Sequence, residues 1–148
     1  MDDNVVWQLI AVEEIKQLKA RYFRYLDTQD WTAWRRLFAS DARLDIGGAV
    51  RSPDELLDLT RDLLTGAVSV HRGFMPEIEI IGPDTATGVW AMEDYIVLPT
   101  EPGTPPRGMH GFGHYREAYQ RIADEWRIAK LTLTRLRIEP LEGGFPAI

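Results

Sequence analysis

The apolar periodicity of this chain changes once, near Gly66, and that change limits the folds open to it. Before it, Ala11, Ile15, Leu18, Tyr22 and Tyr25/Leu26 recur at three- and four-residue spacing. They predict one helix from about Val5 to Leu26 with a single buried stripe. "DTQD" breaks the stripe, and Asp30 is suited to N-cap a short second helix carrying Trp31, Trp34, Leu37 and Phe38 inward. "ASDARLDIGG" reads as a short strand ending at two glycines. Ser52, Pro53 and Glu55 then supply an N-cap, a first-turn proline and a capping box for a third helix, which Gly66 closes.

Beyond Gly66 the period is two. "HRGFMPEIEIIG", "TATGVWAMEDYIVL", "RGMHGFGHYREAYQRI" and "EWRIAKLTLTRLRIEP" read as long strands, joined by "GPD", by the Pro/Gly-rich "PTEPGTPPRG" and by a tight turn near Asp124. Helices followed by a run of antiparallel strands predict an α+β fold with helices packed on one face of the sheet. Strands curved around one helical layer would leave a cavity between helices and sheet, a common place for a ligand. The length suits one domain spanning 1–148.

Charge and composition narrow the classes of partner. A net charge of −6, dispersed along the chain, argues against nucleic acid and anionic membranes. No run approaches the roughly 20 apolar residues of a membrane span. The acidic start lacks a signal-peptide pattern, and the absence of cysteine leaves neither disulfides nor thiolate chemistry. A cytoplasmic location is the expectation.

Strand parity nominates polar side chains for the cavity. Ala86, Gly88, Trp90, Met92, Asp94, Ile96 and Leu98 share a face, so Asp94 is an acid among apolar residues, expensive unless paired or neutral. Ala129, Leu131, Leu133 and Arg135 share another, which turns Arg135 inward unless it is an exposed arginine near the strand end. Asp27 sits at the negative end of the first helix, where a carboxylate costs stability. His71 opens the sheet region. His110, Phe112 and His114 alternate on one face; on a strand, histidines four residues apart are about 13 Å apart, too far to share one ion. No metal site is expected. No nucleophile elbow, phosphate loop or dinucleotide fingerprint occurs.

Three segments carry a resemblance: "IKQLKARYFRYLDTQDWTAWRRLFASDARLDI", "HRGFMPEIEIIGPDTATGVWAMEDY" and "GHYREAYQRIADEWRIAKLTLTR". Their Tyr22–Asp27 spacing, W-x-x-L-F-x-x-D-A run, histidine before P-x-I-x-I-x-G and closing W-R-I resemble the SnoaL-like group of the nuclear-transport-factor-2-like superfamily. The resemblance implies a cone, a strongly bent antiparallel sheet wrapped around N-terminal helices and enclosing an apolar pocket. It also implies a catalytic pair, His71 with Asp27, matching the dyad of the dehydratase and dehydrochlorinase members. Tyr22 and Asp94 match polar catalytic or pocket positions there, and Arg135 a last-strand arginine.

These matches imply a cofactor-independent lyase performing dehydratase-type elimination, with His71 as base, Asp27 orienting it, and Tyr22 or Asp94 assisting the leaving group. Arg135, Tyr25, Trp90, His110 and Phe112 are the candidate substrate-binding residues, for a hydrophobic small molecule; Trp31 and Trp34 read as core. An isomerase or polyketide cyclase needs the same base. A non-catalytic binding module, or a small subunit of a ring-hydroxylating dioxygenase, would share only the fold. Homo-oligomers, trimers before dimers, are expected from the same resemblance.

Overall fold

A computed structural model describes residues 2–146. Its helices are α1 (Asp3–Asp27), α2 (Trp31–Arg35) and α3 (Pro53–Leu64), and its strands β1 (Phe38–Ile46), β2 (Ala49–Arg51), β3 (Val68–Gly82), β4 (Thr85–Val97), β5 (Gly108–Ile122) and β6 (Glu125–Pro140). Each helix starts on a side-chain cap: Asp2 accepts from the Asn4 amide, Asp30 from that of Ala33, and Ser52 and Glu55 form the reciprocal box. α1 ends at Asp27, where the Thr28 amide closes back on the Arg24 carbonyl and Gln29 turns to φ 56°.

The strands form one six-stranded sheet in the order β2-β1-β6-β5-β4-β3. Its pairings are antiparallel except one: β1 runs parallel to β6, with Leu44 opposite Leu131. The sequence pattern predicts antiparallel strands throughout. A parallel partner needs a long crossover, and here α3 and three long strands lie between the two in the chain. The sheet is therefore bent and mixed, with the helices in its hollow.

The hollow is filled from α1 and the inward faces of β4 and β5. Ala11, Ile15, Leu18, Tyr22 and Leu26 of α1 are buried against Ala86, Trp90, Met92 and Ile96 of β4 and Met109, Tyr115 and Tyr119 of β5. Each large apolar side chain so buried contributes about 1.5–3 kcal/mol. The predicted parity of β4 holds along its length.

On β6 the expected face begins at a bulge. Ala129 has no cross-strand partner, because Ile128 pairs with Tyr119 and Lys130 with Ala118. This bulge shifts the inward parity from Trp126 and Ile128 to Leu131, Leu133 and Arg135, and Ala129, half-buried against the core, sits at the shift. A second bulge, on β3, spans Met75 and Pro76 between Phe74 and Glu77, with Met75 at φ 27° and almost fully exposed.

No helix among the described residues is long and apolar enough to cross a membrane.

Candidate active site

β3 begins beside the end of α1, and this adjacency brings together residues 44 positions apart. His71 Nδ1 lies 2.7 Å from Asp27 Oδ1, and the His71 backbone N–H donates to Asp27 Oδ2 at 2.8 Å. Ser69, two residues earlier on β3, donates its hydroxyl to Oδ1 at 3.0 Å. A carboxylate that only accepts leaves Nδ1 as the protonated ring nitrogen and Nε2 with its lone pair free. The local cost of an acid at a helix C-terminus is thus offset by three donors.

On the far side of the imidazole lies Asp94, which β4 places directly opposite His71 in the ladder. Its Oδ2 is 3.9 Å from His71 Nε2, beyond hydrogen-bond length. Asp94 is instead held in a two-pronged pair by Arg135, Nη1 to Oδ1 at 2.6 Å and Nη2 to Oδ2 at 2.8 Å. Burial opposes the charge on Arg135, but the hydrogen bonds and charge of Asp94 outweigh it and hold the guanidinium above its ordinary value. Gly111 of β5 faces Asp94 across the sheet, and a Cβ there would collide with both Asp94 Oδ1 and Arg135 Nη1. Its lack of a side chain makes room for the pair.

Tyr22, His71, Asp94, Tyr115 and Arg135 line one cavity with Leu26, Trp34, Ile46, Thr60, Leu63, Leu64, Ile96 and Leu133. The cavity is small, about 60 Å³, and α3 closes it through Thr60, Leu63 and Leu64. Burial, then the nearby Glu117 charge, raises the Tyr22 hydroxyl above its ordinary value; burial, then Tyr22, does the same to Tyr115. Both phenols therefore stay neutral and able to donate at neutral pH. Two surface grooves of about 540 Å³ lie elsewhere, one along the Pro99–Arg107 loop and one between α1 and the β5–β6 turn, and neither contains a histidine.

The structure thus brings together five of the sequence-derived candidates: Tyr22, Asp27, His71, Asp94 and Arg135. Four others lie away from the cavity. Tyr25 is turned off the buried stripe of α1 into the groove beside Arg21 and Trp126, with the Arg24 guanidinium over its ring. Trp90 faces the hollow as expected but stands four residues along β4 from Asp94, about 13 Å; its indole N–H donates to the Tyr119 hydroxyl. His110 and Phe112 do share a face with His114, but it is the outer one, because Gly111, Gly113 and Tyr115 occupy the inner. There His110 Nε2 meets Glu93 at 2.9 Å, and its ring lies tilted at 37° to that of Phe112 with 4.5 Å between centres.

One pair escaped the sequence reading. Lys19 and Glu117 are fully buried and joined at 2.8 Å. The ammonium lies 3.7 Å from the ring centres of both Tyr22 and Tyr115, and Tyr119 donates to the other Glu117 oxygen. Burial pushes Lys19 down to about 8, against the raising effect of Glu117. The available signal was positional: Lys19 lies one turn before Tyr22, and Glu117 alternates with Tyr115 and Tyr119.

No cluster of three or more potential metal ligands occurs among the described residues.

A family model described as SnoaL-like domain matches residues 7–132. The probable cyclase FGR4 of Gibberella zeae is 23% identical over 141 residues, which cover 85% of this chain and 91% of that protein. The solved structure of Rv3472, a Mycobacterium tuberculosis protein of unknown function, superposes with a TM-score of 0.74 at 28% identity, covering 90% of this chain and 76% of that one. A type 2 hexachlorocyclohexane dehydrochlorinase, LinA, superposes with a TM-score of 0.78 at 21% identity, covering 95% of each chain.

Proposed function

The chain belongs to the SnoaL-like domain family, within the nuclear-transport-factor-2-like superfamily, and on that premise we propose that it is a cofactor-independent lyase acting on a hydrophobic small molecule. The observation that carries this reading is the imidazole of His71, backed at Nδ1 by Asp27 at 2.7 Å and free at Nε2 on the cavity side. A base so oriented removes a proton from carbon, and Asp27 stabilises the imidazolium that results. In a dehydration the electrons of the C–H bond form the new double bond, and the hydroxyl leaves as water with a proton delivered from the Tyr22 or Tyr115 phenol. The proton on His71 returns to the phenolate or to solvent.

Asp94 and Arg135 act as a unit in this scheme. With both carboxylate oxygens engaged, Asp94 fixes the guanidinium at the cavity wall, where it stabilises charge developing on the substrate. A second reading, cyclisation, needs the same proton abstraction followed by attack of the carbanion on a carbonyl; the name of the Gibberella relative favours keeping it.

The test is exchange of an acidic α-proton of small cyclic ketones in D2O, followed by NMR, because every version of the scheme begins with that step. His71→Ala should slow protein-dependent exchange about 10²–10⁴-fold. Exchange at an unchanged rate would remove His71 as the base.

A further inference from the structure

Trp34 carries a hydrogen-bond donor that the dyad does not use. Its indole is 1% exposed and lines the same cavity as Tyr22, His71, Asp94 and Arg135. Its Nε1–H has no acceptor among the described residues. The sequence reading assigned this residue to the core, and its ring does pack there, 5.0 Å from Phe38 and 5.6 Å from Tyr22 between centres. A core indole usually finds an acceptor, as Trp90 does in Tyr119; Trp126 Nε1 also has none among the described residues, but it lines the surface groove beside α1 rather than this cavity. Leaving such a donor buried and unpaired is costly, and a ligand oxygen removes that cost.

We propose that Trp34 Nε1–H is a ligand contact, and that the substrate is a carbonyl compound presenting its oxygen to this donor. The proposal rests on the reading of the cavity as the reaction site. The polar wall there is rich in donors: the Tyr22 and Tyr115 hydroxyls, the Arg135 guanidinium and the Trp34 indole. Both oxygens of Asp94 are engaged by Arg135, and His71 Nε2 is the basic acceptor facing these donors. Such a wall suits an oxygen that gains negative charge, whereas carbon-bound chlorine is a poor hydrogen-bond acceptor and would engage these donors only as it departs as chloride. When His71 takes the α-proton, the C–H electrons form the enolate C=C and the charge moves to the oxygen held by Trp34.

The test uses the ¹⁵N-labelled full-length protein and two probes matched in ring size, cyclopentanone and chlorocyclopentane. The Trp34 indole resonance is identified by its loss in Trp34→Phe; if that variant does not fold, substitution of the other tryptophans, four of the five, identifies it by elimination. The ketone should move this resonance downfield in a saturable way, and the chloride should not. Trp34→Phe should weaken ketone binding about two- to tenfold, the range of one neutral hydrogen bond, and leave chloride binding unchanged. An upfield resonance unmoved by saturating ketone would mark an N–H directed at the Phe38 ring and overturn the proposal. An equal response to both probes, or no binding of ketone, would also overturn it. Repeating the titration in His71→Ala separates the two ideas: a surviving Trp34 response keeps the contact even if exchange shows that His71 is not the base.

Discussion

Asp27 receives His71 twice, through the imidazole Nδ1 at 2.7 Å and through the backbone N–H at 2.8 Å. The second bond ties the strand as well as the ring, so the carboxylate both orients the imidazole and joins α1 to β3. These two duties separate by substitution.

Asp27→Ala leaves the Ser69 hydroxyl and the His71 amide without an acceptor in a partly buried place, and should destabilise the fold by about 1–3 kcal/mol. Asp27→Asn keeps an acceptor and should cost less stability. It should still slow proton exchange, because an amide does not stabilise the imidazolium; its effect should be smaller than that of His71→Ala if Asp27 only orients. Urea denaturation and the D2O exchange assay read the two effects.

Lys19 and Glu117 make a pair whose halves are worth less alone than together. Lys19→Met strands a fully buried carboxylate and should cost about 3–5 kcal/mol. Adding Glu117→Leu should recover most of that loss, since an apolar pair of similar volume avoids the desolvation penalty. A double variant no more stable than the worse single variant would argue that the tyrosine cage around Lys19 requires the cation itself.

The same pair should shape stability at alkaline pH. The folded value of Lys19, about 8, lies below its ordinary 10.5. Between the two the unfolded chain binds a proton that the folded chain has released, so stability rises with pH over that window, by at most about 1.4 kcal/mol per unit. Tyr22, Tyr115 and Tyr119 are raised above 10.0, chiefly by burial, so above pH 10 the unfolded chain loses protons the folded chain keeps and stability falls. Urea midpoints should therefore climb from pH 8 toward 10 and then drop. In Lys19→Met with Glu117→Leu the climb should vanish and the drop remain.

Gly111→Ala tests the room left for the Asp94–Arg135 pair. The added methyl meets both partners, and wedging them apart should cost about 1–3 kcal/mol. Arg135→Leu, which leaves a carboxylate 3% exposed without its cation, should cost more, about 3–5 kcal/mol. Arg135→Lys keeps the charge but not the fork and should fall between wild type and Arg135→Leu. Thermal or urea unfolding orders the three.

Much of this arrangement was legible in the sequence because it is written locally. The stripe of α1, the capping box of α3 and the alternation of β4 each need only neighbours a few residues away, and Asp94 followed from parity alone. What was not legible depends on distant chain. Alternation says that His110, Phe112 and His114 share a face, but not which face the helices cover; the glycines between them hold that information only once Arg135 is known to lie opposite. The parallel partnership of β1 with β6 is invisible in β1, whose pattern suits either direction. Nothing local marks Lys19, because a lysine near a helical stripe is usually solvated and its partner lies 98 residues away.

The unpaired Ala129 of β6 acts as a parity bit for the strand from Lys130 to Arg135. Were Ala129 drawn into the ladder as an ordinary paired residue, with the preceding register kept, the alternation that points Trp126 and Ile128 inward would continue through Lys130, Thr132 and Thr134. Arg135 would then point outward, although no residue of the cavity had been changed. The chemistry of this wall is thus encoded partly as a count of residues, and a one-position gap misplaced in an alignment of such chains would exchange a buried guanidinium for an exposed threonine. A single-residue insertion or deletion between Lys130 and Arg135 that left the bulge in place would accordingly rebuild this wall on the same cone.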